Sequence, residues 1–140
     1  MKRNNQGFTL IEILLVVIII GVLAAMVVPN LAGKGEKARI TAANADIEAS
    51  LSVALDMYEL DVGKYPTTTQ GLKALLIKPT NIEGWDGPYL KKKVIPKDPW
   101  QREYLYISPG SQNPESYDLS SLGPDGVQST DDIVNWFVSD

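Results

Sequence analysis

Apolar residues run almost unbroken from Phe8 to Val28, where Glu12 is the only charge and Thr9 and Gly21 are the other interruptions. About 20 apolar residues rising 1.5 Å each cross the hydrocarbon core of a bilayer, so the pattern predicts a transmembrane helix over 8–28. Pro29, Gly33 and Gly35 follow and predict a break or bend. The period then changes. Ile40, Ala43, Ile47, Leu51, Ala54, Leu55 and Tyr58 recur at steps of three and four, while Lys37, Arg39, Asp46, Glu48, Asp56 and Glu59 fall on the other face. Such a stripe predicts an amphipathic helix half over 29–62, stopped by Gly63 as its C-cap. An ordinary core-facing helix has the same stripe. Fully helical from Phe8 to Leu60, the chain would reach about 80 Å.

Thr67 and Gln70 have the spacing of a capping box, and the segment from Thr68 to Ile77 reads as a short helix halted before Pro79. Residues 78–101 carry Pro79, Gly84, Gly87, Pro88, Pro96 and Pro99 and read as loop. Alternation in 103–107, 117–122 and 133–138 predicts three short strands, antiparallel because their connections are too short for crossovers. The remainder after the long helix is too small to enclose a large core, so the sheet is expected to pack on the helix stripe. The fold class is α+β.

Composition removes several kinds of chemistry. The 140 residues include neither cysteine nor histidine, which excludes disulfides, thiol nucleophiles, thiolate zinc sites and histidine-based triads. No phosphate-binding loop or cleft-like carboxylate pair appears, so no enzyme is expected. A net charge of −4 and a pI near 4.8 exclude the basic footprint of a nucleic-acid binder. The charge is lopsided: residues 101–140 hold one base, Arg102, against seven acids.

Two places call for a partner. A carboxylate in a bilayer-spanning run costs about 2.5–3.5 kcal/mol, so Glu12 marks either a buried pairing or a side chain snorkelling to the interface. Lys2 and Arg3 precede it, which keeps the N-terminus cytoplasmic by the positive-inside tendency. A cleaved secretory signal fits less well, because the apolar run is too long and Glu12 would serve nothing. The second place is the loop from Leu122 to Asp132, with Asp125, Asp131 and Asp132, two glycines and no base. Crowded carboxylates repel unless a hard cation neutralises them, and calcium accepts irregular oxygen shells. The EF-hand spacing is absent. From the residues alone, a solvated acidic loop explains the segment equally well. Asp118 is a weaker candidate, since strand alternation would turn it outward. Lys91-Lys92-Lys93 reads as a solvated run, and Asp98-Pro99-Trp100 and Trp136 as core anchors.

Gly7-Phe8-Thr9-Leu10-Ile11-Glu12, behind Lys2 and Arg3 and ahead of the apolar run, resembles the class III leader of the type IV pilin superfamily. That resemblance implies a leader over 1–7, cleavage between Gly7 and Phe8 by a membrane prepilin peptidase, and N-methylation of Phe8. It makes Glu12 an assembly residue that pairs with the Phe8 amine of a neighbouring subunit. Tyr58 through Gly71, Gly87-Pro88-Tyr89-Leu90, Pro96-Lys97-Asp98-Pro99-Trp100, Ser108-Pro109-Gly110, Ser121 through Gly126 and Asp131 through Trp136 are similar to the protein G family of type II secretion, the major pseudopilins. The implied fold is a pilin-like lollipop: a long N-terminal helix, half transmembrane and half amphipathic, on a small three-stranded antiparallel sheet, with 63–140 as a periplasmic region and 118–132 as a calcium loop. The implied ligands are the side chains of Asp125, Asp131 and Asp132 with the carbonyls of Leu122 and Gln128. The implied function is a homopolymeric helical filament, the pseudopilus, that drives export of folded proteins. Its implied partners are minor pseudopilins, an inner-membrane assembly platform and an outer-membrane secretin; the subunit sits single-pass in the bacterial inner membrane. The alternative is a pilin of an extracellular adhesion or motility fibre, against which the missing cysteines and the acidic loop speak.

Overall fold

The computed structural model describes residues 8–137, with the side chains of 27–32 outside the described set. The chain divides into two compact units, Met1–Lys37 and Ala38–Asp140. Helix α1 (Leu10–Ala45) passes into a π-helical turn (Asp46–Leu51) and then α2 (Ser52–Val62). The helix therefore continues through Pro29, Gly33 and Gly35, so of the expected break or bend the break does not occur. Proline removes one amide donor, and one missing bond in a 36-residue helix does not end it. The departure from α geometry comes instead at 46–51, where the Ser52 hydroxyl donates to the Ile47 carbonyl five residues back and the Tyr104 hydroxyl donates to Asp46 Oδ2 at 2.9 Å.

In the first unit, the stretch of α1 from Ile13 to Met26 is apolar and exposed on every side: Ile13, Val17, Ile20, Leu23 and Met26 all face outward, as does Leu10 before Glu12. Among the described residues, no helix is long and apolar enough to cross a membrane. The segment expected to do so, 8–28, runs into 27–32, whose side chains are not described.

The second unit carries the core. Ala43, Ile47, Leu51, Ala54, Leu55 and Tyr58 are fully buried, as the stripe requires, and meet Leu72, Leu75, Leu90, Tyr104, Tyr117, Leu119 and Ile133; Ile40 remains exposed. Gly63 caps α2 in the left-handed conformation, its amide bonded to the Glu59 carbonyl at 2.7 Å. The capping box forms: the Thr67 amide donates to Gln70 Oε1 at 2.8 Å and the Gln70 amide to Thr67 Oγ1 at 3.3 Å. It closes a turn rather than opening an α-helix. Gly71 follows at φ +57, a left-handed position that interrupts the α path, so only a 3₁₀ turn, Gly71–Leu75, forms where 68–77 was expected. Its outer side is held by the Trp85 indole, which donates to the Ala74 carbonyl at 2.8 Å.

Three strands, β1 (Leu105–Ile107), β2 (Asp118–Ser121) and β3 (Ile133–Val134), form an antiparallel meander in that order. They are shorter than the alternation predicts. After Val134 the Asn135 backbone amide still donates to the Leu119 carbonyl at 3.1 Å, and its side chain then takes over: Oδ1 accepts the Leu119 amide at 2.8 Å and Nδ2 donates to the Tyr117 carbonyl at 3.0 Å. Trp136 is only half-buried and stands outside the core cluster, so it is not the anchor expected. Val138, the end of the expected third strand, lies outside the described residues. As the central strand, β2 is buried along its whole length, which forces its polar side chains to find partners inside the protein.

Candidate functional site

Those partners organise the acidic loop. Asp118 is buried, not turned outward: its carboxylate accepts the amides of Ser111, Gln112 and Asn113 at 2.6–2.9 Å. It fastens the 110–113 loop and takes no part in the acidic cluster. Ser121 donates to Asp98 Oδ2 at 2.7 Å. Asp98, 1 % exposed, also accepts the amides of Trp100 and Arg102 at 3.0 and 2.7 Å through Oδ1 and pairs with the Arg102 guanidinium at 3.6 Å. Asp98 is thus a buried hub beneath the loop, more than the core anchor read from the sequence.

The loop leaves β2 at Leu122. The Gly126 amide donates to the Leu122 carbonyl at 3.2 Å, closing a turn that presents Asp125. Gly123 stands at φ +61, and a Cβ there would lie 2.7 Å from the Asp131 carbonyl. Only glycine allows the two limbs of the loop to come that close. The close approach brings one carboxylate oxygen from each of Asp125, Asp131 and Asp132 within 4.8 Å of one another. Ser129, absent from the sequence reading, lies among them. Its hydroxyl reaches Asp125 Oδ2 at 3.1 Å and Asp131 Oδ1, and its amide donates to Asp132 Oδ1 at 3.3 Å. Gln128 is exposed in the bend beside it. Burial, followed by the charges of Asp131 and Asp125, pushes the Asp132 carboxyl above the usual carboxylate range, while the Ser129 amide opposes the shift.

A hard divalent cation fits this donor set: all oxygen, three carboxylates on two chain limbs, and a backbone cradle that a side chain at 123 would block. Asp125, Asp131 and Asp132 would hold calcium, and bound there it would supply positive charge and cross-linking rather than reaction chemistry.

The other residues singled out by the sequence lie at the N-terminus. Gly7 lies outside the described residues; Phe8 is exposed at their start. Glu12 folds back on its own chain: the Thr9 amide approaches Glu12 Oε2 at 3.4 Å and the Glu12 amide approaches Thr9 Oγ1 at 3.3 Å. This is the reciprocal pairing of a capping box, and Thr9-x-x-Glu12 has its sequence signature.

Known proteins match both halves of this description. The prokaryotic N-terminal methylation motif matches residues 2–28, and the family model of type II secretion system protein G matches residues 30–136. Type II secretion system core protein G of Vibrio cholerae is 48 % identical over 99 % of this chain and 96 % of its own length. That of Escherichia coli K12 is 50 % identical over 97 % and 94 %. The crystal structure of the major pseudopilin of the enterohaemorrhagic E. coli type 2 secretion system aligns at a TM-score of 0.62 with 44 % identity, covering 79 % of this chain and 96 % of that one. These matches favour secretion over an adhesion or motility fibre. The chain belongs to the protein G family of type II secretion systems, the major pseudopilins.

Proposed function

We propose that this pseudopilin is cut between Gly7 and Phe8, methylated on Phe8, and polymerised from the inner membrane into a periplasmic filament that drives folded proteins out through a secretin. The observation that carries the proposal is the all-round apolar exposure of α1 from Leu10 to Met26. A helix apolar on every face is buried in lipid or in a bundle of its own kind, and a filament core exchanges one for the other. Glu12 then becomes the counter-ion of a neighbour's Phe8 amine. The prepilin peptidase, an inner-membrane platform and minor pseudopilins complete the machinery. Electron microscopy of filaments from secreting cells, with mass spectrometry of the subunit, tests it: an intact Met1 start in assembled material overturns the processing. Gly7→Arg should leave an uncut precursor in the membrane fraction, seen as a band heavier by the leader.

Calcium in the Asp125, Asp131 and Asp132 cluster, completed by the Leu122 and Gln128 carbonyls, gives the filament a metal-braced surface loop. Its affinity should fall in the range of extracellular modules, on the order of 10⁻⁴–10⁻³ M or somewhat tighter. At a hundredfold excess over Kd, a ligand of the folded state adds about 2.7 kcal/mol. The full chain in detergent micelles should therefore melt higher with calcium than with chelator. Asp125→Ala, or Asp131→Ala with Asp132→Ala, should erase that difference while leaving cleavage at Gly7 intact. Identical wild-type melting curves would return these aspartates to a solvated loop.

A further inference from the structure

We infer that Arg102 is a positioning residue for the calcium loop, holding the Leu122–Gly126 turn in its metal-ready shape before the ion arrives; this rests on the calcium reading above. Arg102 is the only base in residues 101–140, and it lies between the core and the loop. On its inner side, Nε faces the buried Asp98 carboxylate at 3.6 Å. On its outer side, Nη2 donates to the Gly123 carbonyl. The guanidinium carbon sits 5.8 Å from the centre of the Trp100 ring, and Nη1 lies against Gly126, where a Cβ would collide with it. One rigid fork thus joins Asp98, in the core, to Gly123 and Gly126, the two glycines that flank Asp125.

The geometry separates this role from a direct one. Arg102 offers no lone pair and cannot be a ligand. A cation near a calcium site would ordinarily weaken binding, but here the Asp98 carboxylate lies beside it and offsets that charge. Gly123 in turn sets the approach to the Asp131 carbonyl, so the turn that Arg102 grips is the one bringing Asp125 toward Asp131 and Asp132. Without the fork, the calcium-free turn samples open shapes, and the apparent Kd rises by the inverse of the competent fraction. Lysine cannot replace the fork, since a single ammonium cannot face Asp98 and the Gly123 carbonyl in fixed planar geometry.

The test is calcium titration by calorimetry, with amide hydrogen exchange, on the full chain in detergent micelles. Arg102→Ala should raise the calcium Kd by about tenfold. In chelator it should speed exchange of the Gly126 amide, the one bonded to Leu122, while the Leu119 amide in β2 stays protected. Arg102→Lys should weaken binding severalfold with its melting temperature in chelator close to wild type, and it carries the test if Arg102→Ala does not fold. A variant destabilised equally with and without calcium, at unchanged Kd and unchanged Gly126 exchange, overturns the proposal and leaves Arg102 a plain core contact. A variant that binds calcium more tightly overturns it as well. A wild type that binds no calcium removes the calcium reading itself, and this inference with it.

Discussion

Asp98→Ala is expected to lower the unfolding free energy of the full chain by about 3–5 kcal/mol, the range for breaking a buried ion pair from one side. The acid is almost fully enclosed, and three donors bond to it, the amides of Trp100 and Arg102 and the Ser121 hydroxyl, with the Arg102 guanidinium as its ion-pair partner at 3.6 Å. Alanine leaves them facing a void, and each stranded buried donor costs about 1–3 kcal/mol before any relaxation. Solvent reaches part of the Arg102 side chain, which limits the electrostatic share. Asp98→Asn should lose roughly half as much, since its one oxygen still accepts while its amide nitrogen opposes a donor. Urea unfolding in micelles, followed by tryptophan fluorescence, measures both. A loss under about 1 kcal/mol for alanine would show that water can enter and replace the carboxylate.

Assembly should be the function most sensitive to a single side chain, at Glu12. Two roles overlap there: the capping box with Thr9 within one chain, and the proposed pairing with the Phe8 amine of a neighbour. Glutamine separates them, because Gln serves a capping box as well as Glu but carries no charge. If the pairing dominates, Glu12→Gln and Glu12→Ala should both be cleaved and inserted yet give few filaments. An unpaired charge in an apolar bundle is worth about 3–5 kcal/mol per subunit, more than a hundredfold in a polymerisation constant. If capping dominates, Gln should assemble like wild type and Ala alone should fail, at the typical cap value of about 1 kcal/mol. Filament yield from sheared cells, scored against total cleaved subunit, decides between them.

Elements specified by repetition were legible in the sequence. The stripe Ala43, Ile47, Leu51, Ala54, Leu55 and Tyr58 is buried as its spacing demands, and Gly63 ends the helix where a glycine past the last apolar residue should. The three acids of the loop also converge, because they are close in the chain and glycines let the limbs meet. Harder to see were features in which a polar side chain substitutes for backbone. Ser52 and Tyr104 accompany the π-turn, Asn135 stands in for a strand, and Ser129 holds the acids together. Nothing in hydrophobic periodicity reports such bonds. Asp98 and Arg102 left a trace, an acid and base four residues apart, but that spacing suggests a helix pair and the segment is not helical. Thr9 and Glu12 were visible as a capping signature, yet the oddity of an acid in an apolar run drew the reading toward partners outside the chain.

The sheet has a consequence for a protein meant to exist at high local concentration as a polymer. Each of its flanking strands offers little to an incoming chain. β1 is three residues long and is tied off at Ser108, whose amide and carbonyl both engage Thr68. β3 is two residues, and just past it the Asn135 backbone makes one last bond to Leu119 while its side chain takes the Leu119 amide and the Tyr117 carbonyl. Short, stopped edges discourage edge-to-edge strand addition and the cross-β stacking that follows from it. In the proposed filament, growth would then be left to helix contacts, which would come apart if the helix returned to lipid. Such a fibre would be open to dismantling and reuse of its subunits, whereas one zipped through its sheets would not.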